Sequence, residues 1–335
     1  MTLLSRALAA LVASAAALPA AAQVETRTIT ISNGVAETHP NANGVEAMRA
    51  CFDERTGGAW TLNDFWSAAL GNDLDATQAL RSGTQEMVVT STSPLVGIEP
   101  ALGVFDLPFL ITSEEEADAV LDGEFGAMMS ERLEASGVVN LAYWENGFRN
   151  LTNSVRPVTR LEDFEGMRVR VMQNDIFLDT FSNLGTNAMP MAFGEVFTAL
   201  ETGTIDAQEN PYVTIDTSKF NEVQDYLTET RHAYTPFLVL FSKPIFDTYS
   251  AEEQQILRDC ALEGQAVQRQ AGRELSQESL AHVQEAGMQF NQIEPAEMER
   301  IREAIASVYE THADMIGRDV IESMQSALDE VRAGG

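Results

Sequence analysis

The sequence has 335 residues, enough for two domains of ordinary size, of which 44% are hydrophobic and 21% charged, as in soluble globular proteins. Its 51 acidic and 21 basic residues give a formal net charge of −30 at pH 7. Nucleic acids and anionic membranes require a basic face on their partners, so this composition argues against both.

The first 22 residues have the pattern of a secretory signal peptide. Arg6 precedes an apolar run from Ala7 to Leu18, and Ala20, Ala21 and Ala22 supply an A-x-A cleavage site. The run is shorter than the ~20 residues that a transmembrane helix needs. We therefore expect residues 1–22 to be a signal peptide and the mature chain to be exported. A buried N-terminal helix is the alternative.

Strands and helices alternate in the first part of the mature chain. Apolar residues at every second position predict strands, and those at helical spacing predict helices that stop at Gly57 and Gly83. This β-α-β-α-β order predicts a parallel sheet with helices on both faces. The segments are, in chain order, TRTITISN, NGVEAMRACFDERTGG, WTLNDFW, DATQALRSG and EMVVTST.

The middle of the chain continues with two acidic helices, of which the first begins with a capping box formed by Ser113 and Glu116. After the strand VVNLAYW, the loop-rich segment 145–166 is the candidate crossing into a second domain. A second β-α-β series follows it, with the segments MRVRVM, DIFLDTFSNLG, NAMPM, FGEVFTALETG and TIDAQEN.

The last third begins with the apolar strand FLVLFSK. A second capping box, Ser250 with Glu253, begins a long helix that extends to about Ala286. The strand GMQFNQI follows, and residues 294–332 are predicted to be helical throughout. Two β-α-β halves joined by several crossings predict a two-lobed α/β protein with a cleft.

Two cysteines, Cys51 and Cys260, each lie on the apolar side of a predicted helix. An oxidising compartment permits a disulfide between them, but spacing alone does not settle whether they pair. A disulfide and two buried free thiols both remain open at this point.

Motifs of hydrolases, metalloenzymes and nucleotide-binding proteins are missing from the sequence. It has no G-x-S-x-G, no H-E-x-x-H and no G-x-x-x-x-G-K-[ST], and its four histidines lack metal-ligand spacing. We therefore expect no metal and no cofactor. Acidic pairs such as Asp73 and Asp75 could do acid–base chemistry, but most carboxylates of so acidic a chain lie on the surface. An exported enzyme acting on an organic acid stays an alternative without a positive signal.

Several long motifs resemble the DctP-like substrate-binding proteins of tripartite ATP-independent periplasmic (TRAP) transporters. They are ISNGVAETHP, ENGFRNLTN, LEDFEGMRVRVMQN, LGTNAMPMAFGEVFTALETGTIDAQENP and TETRHAYTPFLVLFSK. Two positions depart from the family pattern: Ala207 replaces a usual glycine before QENP, and GNDLDA is a variant of a motif that usually carries more charge. The second departure bears on the choice of ligand.

The resemblance implies a two-lobed periplasmic binding protein fold with crossing strands and long C-terminal helices. It implies one lobe of residues 23–147 with about 236–285, a second of residues 148–235 with about 286–305, and a helical segment of residues 306–335. It further implies that the protein is located in the periplasm and does no covalent chemistry. The lobes would close on a small organic acid and deliver it to a large and a small membrane subunit.

The resemblance also carries over site residues. Arg170 matches the arginine that binds the ligand carboxylate, and its planar paired donors suit that group. Asn210 matches a residue whose amide hydrogen-bonds the same carboxylate, and Arg149 matches a second arginine, which could instead pair with Glu145. Phe193 matches a pocket residue that covers the apolar part of the ligand. Each of these four side chains could alternatively serve the structure alone.

Further candidates come from positions at strand ends and in the predicted wall. Ser91, Thr92 and Asn33 end strands at the edge where doubly wound sheets bind ligands. Wall candidates are Trp144, Asn174, His232 and Tyr234, and a core position is an equal alternative for Trp144. Two arginines among many polar candidates favour a sugar acid or a C4-dicarboxylate without separating them. A ligand-sensing partner of a membrane receptor is a further alternative to a transport role.

Overall fold

The chain folds into two mixed β-sheets covered by helices, as seen in a computed structural model that describes residues 24–334. The predicted signal peptide lies outside the described residues. The strands are β1 (Arg27–Asn33), β2 (Trp60–Phe65), β3 (Met87–Ser91), β4 (Val138–Phe148), β5 (Asn150–Asn153), β6 (Arg168–Val171), β7 (Asn187–Pro190), β8 (Ala207–Asn210), β9 (Tyr226–Glu229), β10 (Tyr234–Ser242) and β11 (Gln289–Gln292).

Helices account for most of the remaining chain. They are α1 (Asn41–Thr56), α2 (Asp73–Ser82), α3 (Glu114–Asp122), α4 (Glu124–Ala135), α5 (Asp175–Asn183), α6 (Val196–Glu201), α7 (Tyr212–Thr217), α8 (Lys243–Phe246), α9 (Ala251–Glu285), α10 (Pro295–Ile305), α11 (Ser307–Ile316) and α12 (Arg318–Gly334). Within residues 24–334, none of these helices is both long and apolar enough to cross a membrane.

The first sheet has the order β2-β1-β3-β10-β4. Strand β1 pairs in parallel with β2 and β3, as the β-α-β-α-β pattern predicts. Strand β10 pairs antiparallel with both β3 and β4, so the parallel arrangement predicted for β1, β2 and β3 holds for those strands, whereas the sheet as a whole is mixed. The reason is topological: β10 returns from the second sheet, and a local pattern of strands and helices does not show the direction of that return.

The second sheet has the order β11-β9-β5-β8-β6-β7. Two strands connect directly across the sheets: β4 of the first sheet passes into β5 of the second at Arg149, and β9 of the second passes into β10 of the first over residues 230–233. The two-lobed α/β architecture with crossing strands is therefore confirmed. The exact residues that bound each lobe stay a prediction.

The segment predicted to be loop-rich after Glu145 is instead continuous strand up to Asn153, apart from the junction at Arg149. Its polar residues do not point to solvent, because every residue of β4 and β5 is buried. Thr152 hydrogen-bonds Gln224 through its hydroxyl group at 2.9 Å, and the Nδ2 of Asn146 donates to the Thr235 hydroxyl at 3.1 Å. Strand prediction depends on apolar residues at alternate positions. Here buried polar residues with hydrogen-bond partners occupy those positions, so the sequence pattern looked like a loop.

Helix α9 is the longest element and packs against α1, β4 and α7, so it contacts parts of both lobes. Its capping box is complete: Ser250 accepts from the Glu253 amide, and the Glu253 carboxylate accepts from the Ser250 amide. Close approach to α1 depends on Gly44 and Gly264, which both lie against the Trp144 ring. A disulfide between Cys51 of α1 and Cys260 of α9 decides the alternative that the sequence left open.

The capping box predicted for α3 forms only in part. The Ser113 hydroxyl accepts from the Glu116 amide at 3.2 Å, as expected. The Glu116 carboxylate, however, accepts from the Thr112 amide at 2.6 Å and pairs with Arg332 of α12 at 2.8 Å. Glu116 therefore fixes the C-terminal helix to α3 instead of closing the box. The C-terminal region is helical as predicted, although breaks at Ala306 and Gly317 divide it into α10, α11 and α12.

Candidate functional site

A cavity lies between the two sheets, at the edge where β1, β3 and β6 end. Ligands of open α/β sheets bind at the carboxyl ends of the strands, so this edge is the expected place for a ligand. Both sheets contribute to the wall. The lining residues are Gly34, Val35, Asp73, Val89, Ser91, Pro94, Asn146, Arg149, Arg170, Met172, Phe193, Asn210, Thr214 and Phe237.

Arg170 enters the cavity from β6, where Val169 and Val171 are buried on either side of it. Its Nε and Nη2 atoms donate to the Met191 carbonyl oxygen at 3.0 and 2.8 Å, which fixes the guanidinium plane. The Nη1 atom has no hydrogen-bond partner in the part of the chain that the structure describes. Burial lowers the pKa of Arg170 to about 10, so the group stays cationic at neutral pH. The result is a fixed cation with a free donor in a cavity.

Arg149 also reaches the cavity, but its charge is already neutralised. Its guanidinium group forms a two-point ion pair with Glu209, and the Nη2 to Oε1 distance is 2.9 Å. Arg149 and Glu209 are only 1% and 0% exposed, so the pair is held away from water. Glu145, which we named as the alternative partner of Arg149, pairs with Arg273 at 2.8 Å instead. The prediction of an Arg149–Glu145 pair is therefore wrong. Arg149 therefore contributes donors to the wall without adding a net charge.

Glu209 connects the ion pair to His232. The His232 Nε2 atom lies 3.0 Å from the Glu209 carboxylate, and its Nδ1 atom lies 2.8 Å from the Thr230 hydroxyl. Burial alone would raise the pKa of Glu209, but Arg149 and His232 hold that pKa at about 2. Glu209 is therefore ionised throughout the neutral range, and no pattern in the sequence singles it out as the partner of Arg149.

Asn210 ends β8 beside this ion pair, and its side chain has a fixed orientation. Its Oδ1 atom accepts from Arg149 at 3.1 Å, and its Nδ2 atom donates to Gln208 at 2.5 Å. An amide nitrogen carries two hydrogens, so one donor is left over from this arrangement. Since Asn210 lines the cavity, that donor is available to an oxygen placed there.

Asp73 is a cavity residue that sequence reasoning missed, since the pair Asp73 and Asp75 was interpreted as solvated surface. Only Asp75 is exposed. Asp73 begins α2, lines the cavity and accepts a hydrogen bond from the Thr90 hydroxyl at 2.9 Å. Burial raises the pKa of Asp73, whereas Thr90 and Arg170 lower it. The available signal was position, because Asp73 follows the carboxyl end of β2 at the ligand-binding edge.

Three neutral polar atoms complete the hydrogen-bonding surface. The Ser91 hydroxyl, the Thr214 hydroxyl and the side-chain Oδ1 atom of Asn146 belong to lining residues and find no protein partner within residues 24–334. Buried polar atoms without partners are uncommon in folded proteins, and they point to a function when they share a cavity. Together with Arg170 Nη1, they provide donors and an acceptor on several sides of the same space.

The remaining wall is apolar. Phe193 follows β7 and packs against the cores of both lobes, and the Arg170 guanidinium carbon lies 6.0 Å from its ring centre. Val35, Met172 and Phe237 add apolar surface from both sheets. A ligand in this cavity would meet a cation and hydrogen-bonding groups on some sides and carbon on others.

Several predicted candidates are not among the residues that line the cavity. Asn33 and Thr92 are buried beside the lining residues Gly34 and Ser91. Trp144 is 0% exposed and packs between α1 and α9, so its place is the core. Tyr234 packs on Phe148 at a ring-centre distance of 5.1 Å.

Two further candidates, Asn174 and His232, are also not among the lining residues and make buried structural contacts. Asn174 caps α5, because its Oδ1 atom accepts from the Phe177 amide at 2.8 Å. His232 binds Glu209, as described above, and its ring packs against Phe177 and Phe181. For these two residues, and for Trp144 and Tyr234, the structure does not support a place in the wall. The polar groups of Asn174 and His232 serve buried structure instead of contacting the cavity.

Comparison with known proteins identifies the family of the chain. Residues 31–315 match the family model DctP, described as bacterial extracellular solute-binding protein, family 7. A similar solved structure is the sugar acid binding protein DctPAm from Advenella mimigardefordensis strain DPN7T in complex with galactonate. It is 40% identical with a TM-score of 0.90, and the match covers 92% of this chain and 99% of that one.

Two curated relatives are also similar. The 2,3-diketo-L-gulonate-binding periplasmic protein YiaO of Escherichia coli (strain K12) is 36% identical over 283 residues, which are 84% of this chain and 85% of the relative. The C4-dicarboxylate-binding periplasmic protein DctP of Rhodobacter capsulatus is 30% identical over 331 residues, 97% of this chain and 99% of the relative. The chain therefore belongs to family 7 of the bacterial extracellular solute-binding proteins, the DctP-like substrate-binding proteins of TRAP transporters.

Proposed function

We propose that this protein captures a sugar acid, a hydroxylated monocarboxylate, in the periplasm and delivers it to the membrane subunits of a TRAP transporter. The observation that carries the proposal is the free Nη1 donor of Arg170 in a cavity that also holds neutral polar atoms without partners. A carboxylate that enters a water-poor cavity must have its charge satisfied, and a fixed guanidinium group does this well.

The charges around the cavity favour one carboxylate over two. Arg149 is paired with Glu209, so Arg170 is the cation left for a ligand among the described lining residues. Asp73 faces the same cavity, and a second ligand carboxylate near it would add a like charge in a region of low dielectric constant. Hydroxyl groups, in contrast, donate readily to a carboxylate such as that of Asp73.

The relatives agree with this choice of ligand class. DctPAm was solved with galactonate and YiaO is described as binding 2,3-diketo-L-gulonate, and both are more similar to this chain in sequence than the C4-dicarboxylate-binding DctP. Their names describe their own ligands. For this chain they support a polyhydroxylated acid as the first class to test.

A panel of acids tests the proposal. Titration calorimetry with D-galactonate, D-gluconate and succinate should give tight binding of a sugar acid and weaker binding of succinate.

Asp73→Asn should weaken sugar-acid binding about tenfold or more, as expected for a hydrogen bond to a charged group worth roughly 1.5–3 kcal/mol. Asp75→Asn is the matched control, because Asp75 lies on the same first turn of α2 but is exposed.

Two results would contradict the proposal. The first is succinate binding more tightly than every sugar acid of the panel. The second is unchanged sugar-acid affinity in a folded Asp73→Asn protein. Mass analysis of the acid after long incubation separates binding from catalysis, since a binding protein returns the acid unchanged.

A further inference from the structure

Asn210 belongs to a buried hydrogen-bond network that extends away from the cavity across the second sheet. Its Nδ2 atom donates to Gln208 Oε1 at 2.5 Å. The Gln208 Nε2 atom donates to the Thr152 hydroxyl oxygen at 2.8 Å, and this hydroxyl group donates to Gln224 Oε1 at 2.9 Å. We call these four residues the Asn210 network. All four are buried, and only Asn210 is among the residues that line the cavity.

The strands of the second sheet place this network beside the cavity. Thr152 of β5 and Gln208 of β8 are direct partners in an antiparallel pair, and Gln208 is in turn the register partner of Arg170 on β6. Side chains alternate along a strand, so Asn210, two residues after Gln208, lies on the same face as Gln208. The network therefore runs from the ligand cavity into the sheet that carries Arg170.

The direction of the hydrogen bonds is fixed at the cavity end by Arg149. The oxygen and the nitrogen of a side-chain amide can exchange places, so the partners decide its orientation. A guanidinium group only donates, and Arg149 Nη2 lies 3.1 Å from Asn210 Oδ1. The oxygen of Asn210 must therefore face Arg149, and its nitrogen must face Gln208.

The same direction is fixed independently at the far end of the network. Gln224 Nε2 lies 3.2 Å from the Asp206 carbonyl oxygen and 3.0 Å from the Val223 carbonyl oxygen. Carbonyl oxygens only accept, so the nitrogen of Gln224 must face them and its Oε1 atom must face Thr152. In a reversed network, donor would face donor at Arg149, and acceptors would face each other at Gln224.

This direction determines what Asn210 presents to the cavity. One hydrogen of Nδ2 is used by Gln208, and the second is the donor left for a ligand. A ligand carboxylate accepts such a hydrogen bond, and bonds to an ionised acceptor are stronger than those between neutral groups. A carbonyl oxygen in the same place would repel the carboxylate.

We propose that Thr152, Gln208 and Gln224 are positioning residues, which recognise an acid indirectly by holding Asn210 with its donor towards the ligand carboxylate. The proposal rests on the proposed function in one respect, because it needs an acid whose carboxylate reaches Asn210. It adds determinants of affinity that do not touch the ligand and that lie one, two and three hydrogen bonds away from Asn210.

Valine in place of Thr152 tests the proposal, because it keeps the shape of the side chain and removes the hydroxyl group. In Thr152→Val the Gln208 amide loses the partner that fixes its direction. Calorimetry should therefore show the tightest acid of the panel binding about tenfold more weakly, as expected when a hydrogen bond to a charged group is lost. Thr152→Ser retains the hydroxyl group and should bind with near-wild-type affinity.

Two further measurements distinguish positioning from a general loss of stability. Thr228→Val removes another fully buried hydroxyl group of the same sheet, whose hydrogen bonds go to Asn291 and Val158. This control should lower the melting temperature, as Thr152→Val does, and leave the affinity for the acid unchanged. In an Asn210→Ala background, Thr152→Val should cause no further loss of affinity, because its effect acts through Asn210.

The outcomes separate this inference from the proposed function. If no acid binds the wild type, the proposed function fails and the inference fails with it. If an acid binds, and a folded Thr152→Val protein keeps wild-type affinity or weakens binding further in the Asn210→Ala background, the inference is overturned while capture stands. Should Thr152→Val not fold, Gln224→Met is measured in the same way, because it removes the anchor at the far end. The same loss of affinity is expected there, and unchanged affinity overturns the inference.

Discussion

Arg170 shows how a single side chain can be both anchored and available. Two of its donors hold one backbone carbonyl oxygen, that of Met191, so the third nitrogen faces the cavity at little further entropic cost. A lysine has the same charge but presents it at one point, and it cannot hold Met191 and a carboxylate in this geometry.

We expect Arg170→Lys to weaken acid binding by about tenfold or more, because the paired, planar donors are lost while the charge is kept. Arg156→Lys is a matched control. The Arg156 Nε and Nη2 atoms also donate to backbone carbonyls, those of Asp163 and Glu165, at 2.9 and 2.7 Å, but Arg156 does not line the cavity. Calorimetry and thermal melting check the two variants together. Wild-type affinity in a folded Arg170→Lys protein would refute the assigned role.

The cavity residues differ in how far the sequence could predict them. Arg170, Arg149, Asn210, Phe193 and Ser91 line the cavity, as family resemblance and strand ends led us to expect. The choice between ligand contact and ion pair was not visible for Arg149, since its partner Glu209 is 60 residues away in the chain. Asp73 was not predicted as a cavity residue for a different reason. In so acidic a sequence, no sequence pattern distinguishes one carboxylate that lines a cavity from the many that are exposed to solvent.

At the scale of elements, the contact between α1 and α9 depends on two glycines. A Cβ atom built on Gly264 would lie 2.8 Å from Met48 Cγ and 2.9 Å from the Gly44 carbonyl oxygen, closer than real Cβ atoms approach. The backbones can meet here because neither residue has a side chain. The disulfide between Cys51 and Cys260 joins the same two helices.

We therefore expect Gly264→Ala to lower the free energy of unfolding by about 1–3 kcal/mol, the usual cost of overpacking a core. Gly97→Ala is the control, since a Cβ atom on Gly97 would meet nothing within 4 Å. Urea denaturation with the disulfide intact measures both variants. A Gly264→Ala protein as stable as the wild type would show that the two helices separate easily, contrary to this description.

Local signals predicted the elements well where the side chains act locally. The capping box of Ser250 and Glu253 forms as predicted, although Glu253 also pairs with Arg27. At α3 the box closes only in part, because the Glu116 carboxylate accepts from the Thr112 amide and pairs with Arg332, which lies 216 residues away. The C-terminal part of β4, from Glu145 to Phe148, was missed because its buried polar groups are satisfied by distant partners. One example is Gln268, which accepts a hydrogen bond from the Glu145 amide at 2.7 Å.

For the molecule as a whole, the net charge of −30 opposes the ligand that the cavity is built to hold. Arg170 acts over a few ångströms inside the cavity, whereas the field of the whole protein acts on an anion that is still in solution. Salt screens the long-range repulsion over about 10 Å at 0.1 M and leaves the buried contact largely unaffected.

We accordingly expect the association rate of the acid to rise with salt concentration, while the dissociation rate changes little. Stopped-flow fluorescence at increasing sodium chloride concentrations measures both rates, and a parallel series with an uncharged osmolyte controls for solvent effects. An association rate that falls with salt would mean that a local positive field at the cavity mouth dominates over the net charge.

The most direct measurement of the central claim is a crystal structure of the protein with the tightest acid of the panel bound. We predict that the ligand carboxylate lies within hydrogen-bond distance of Arg170 Nη1 and that its hydroxyl groups reach Asp73 and Ser91. A ligand carboxylate placed away from Arg170, or a tightly bound ligand that has no acid group, would contradict the account.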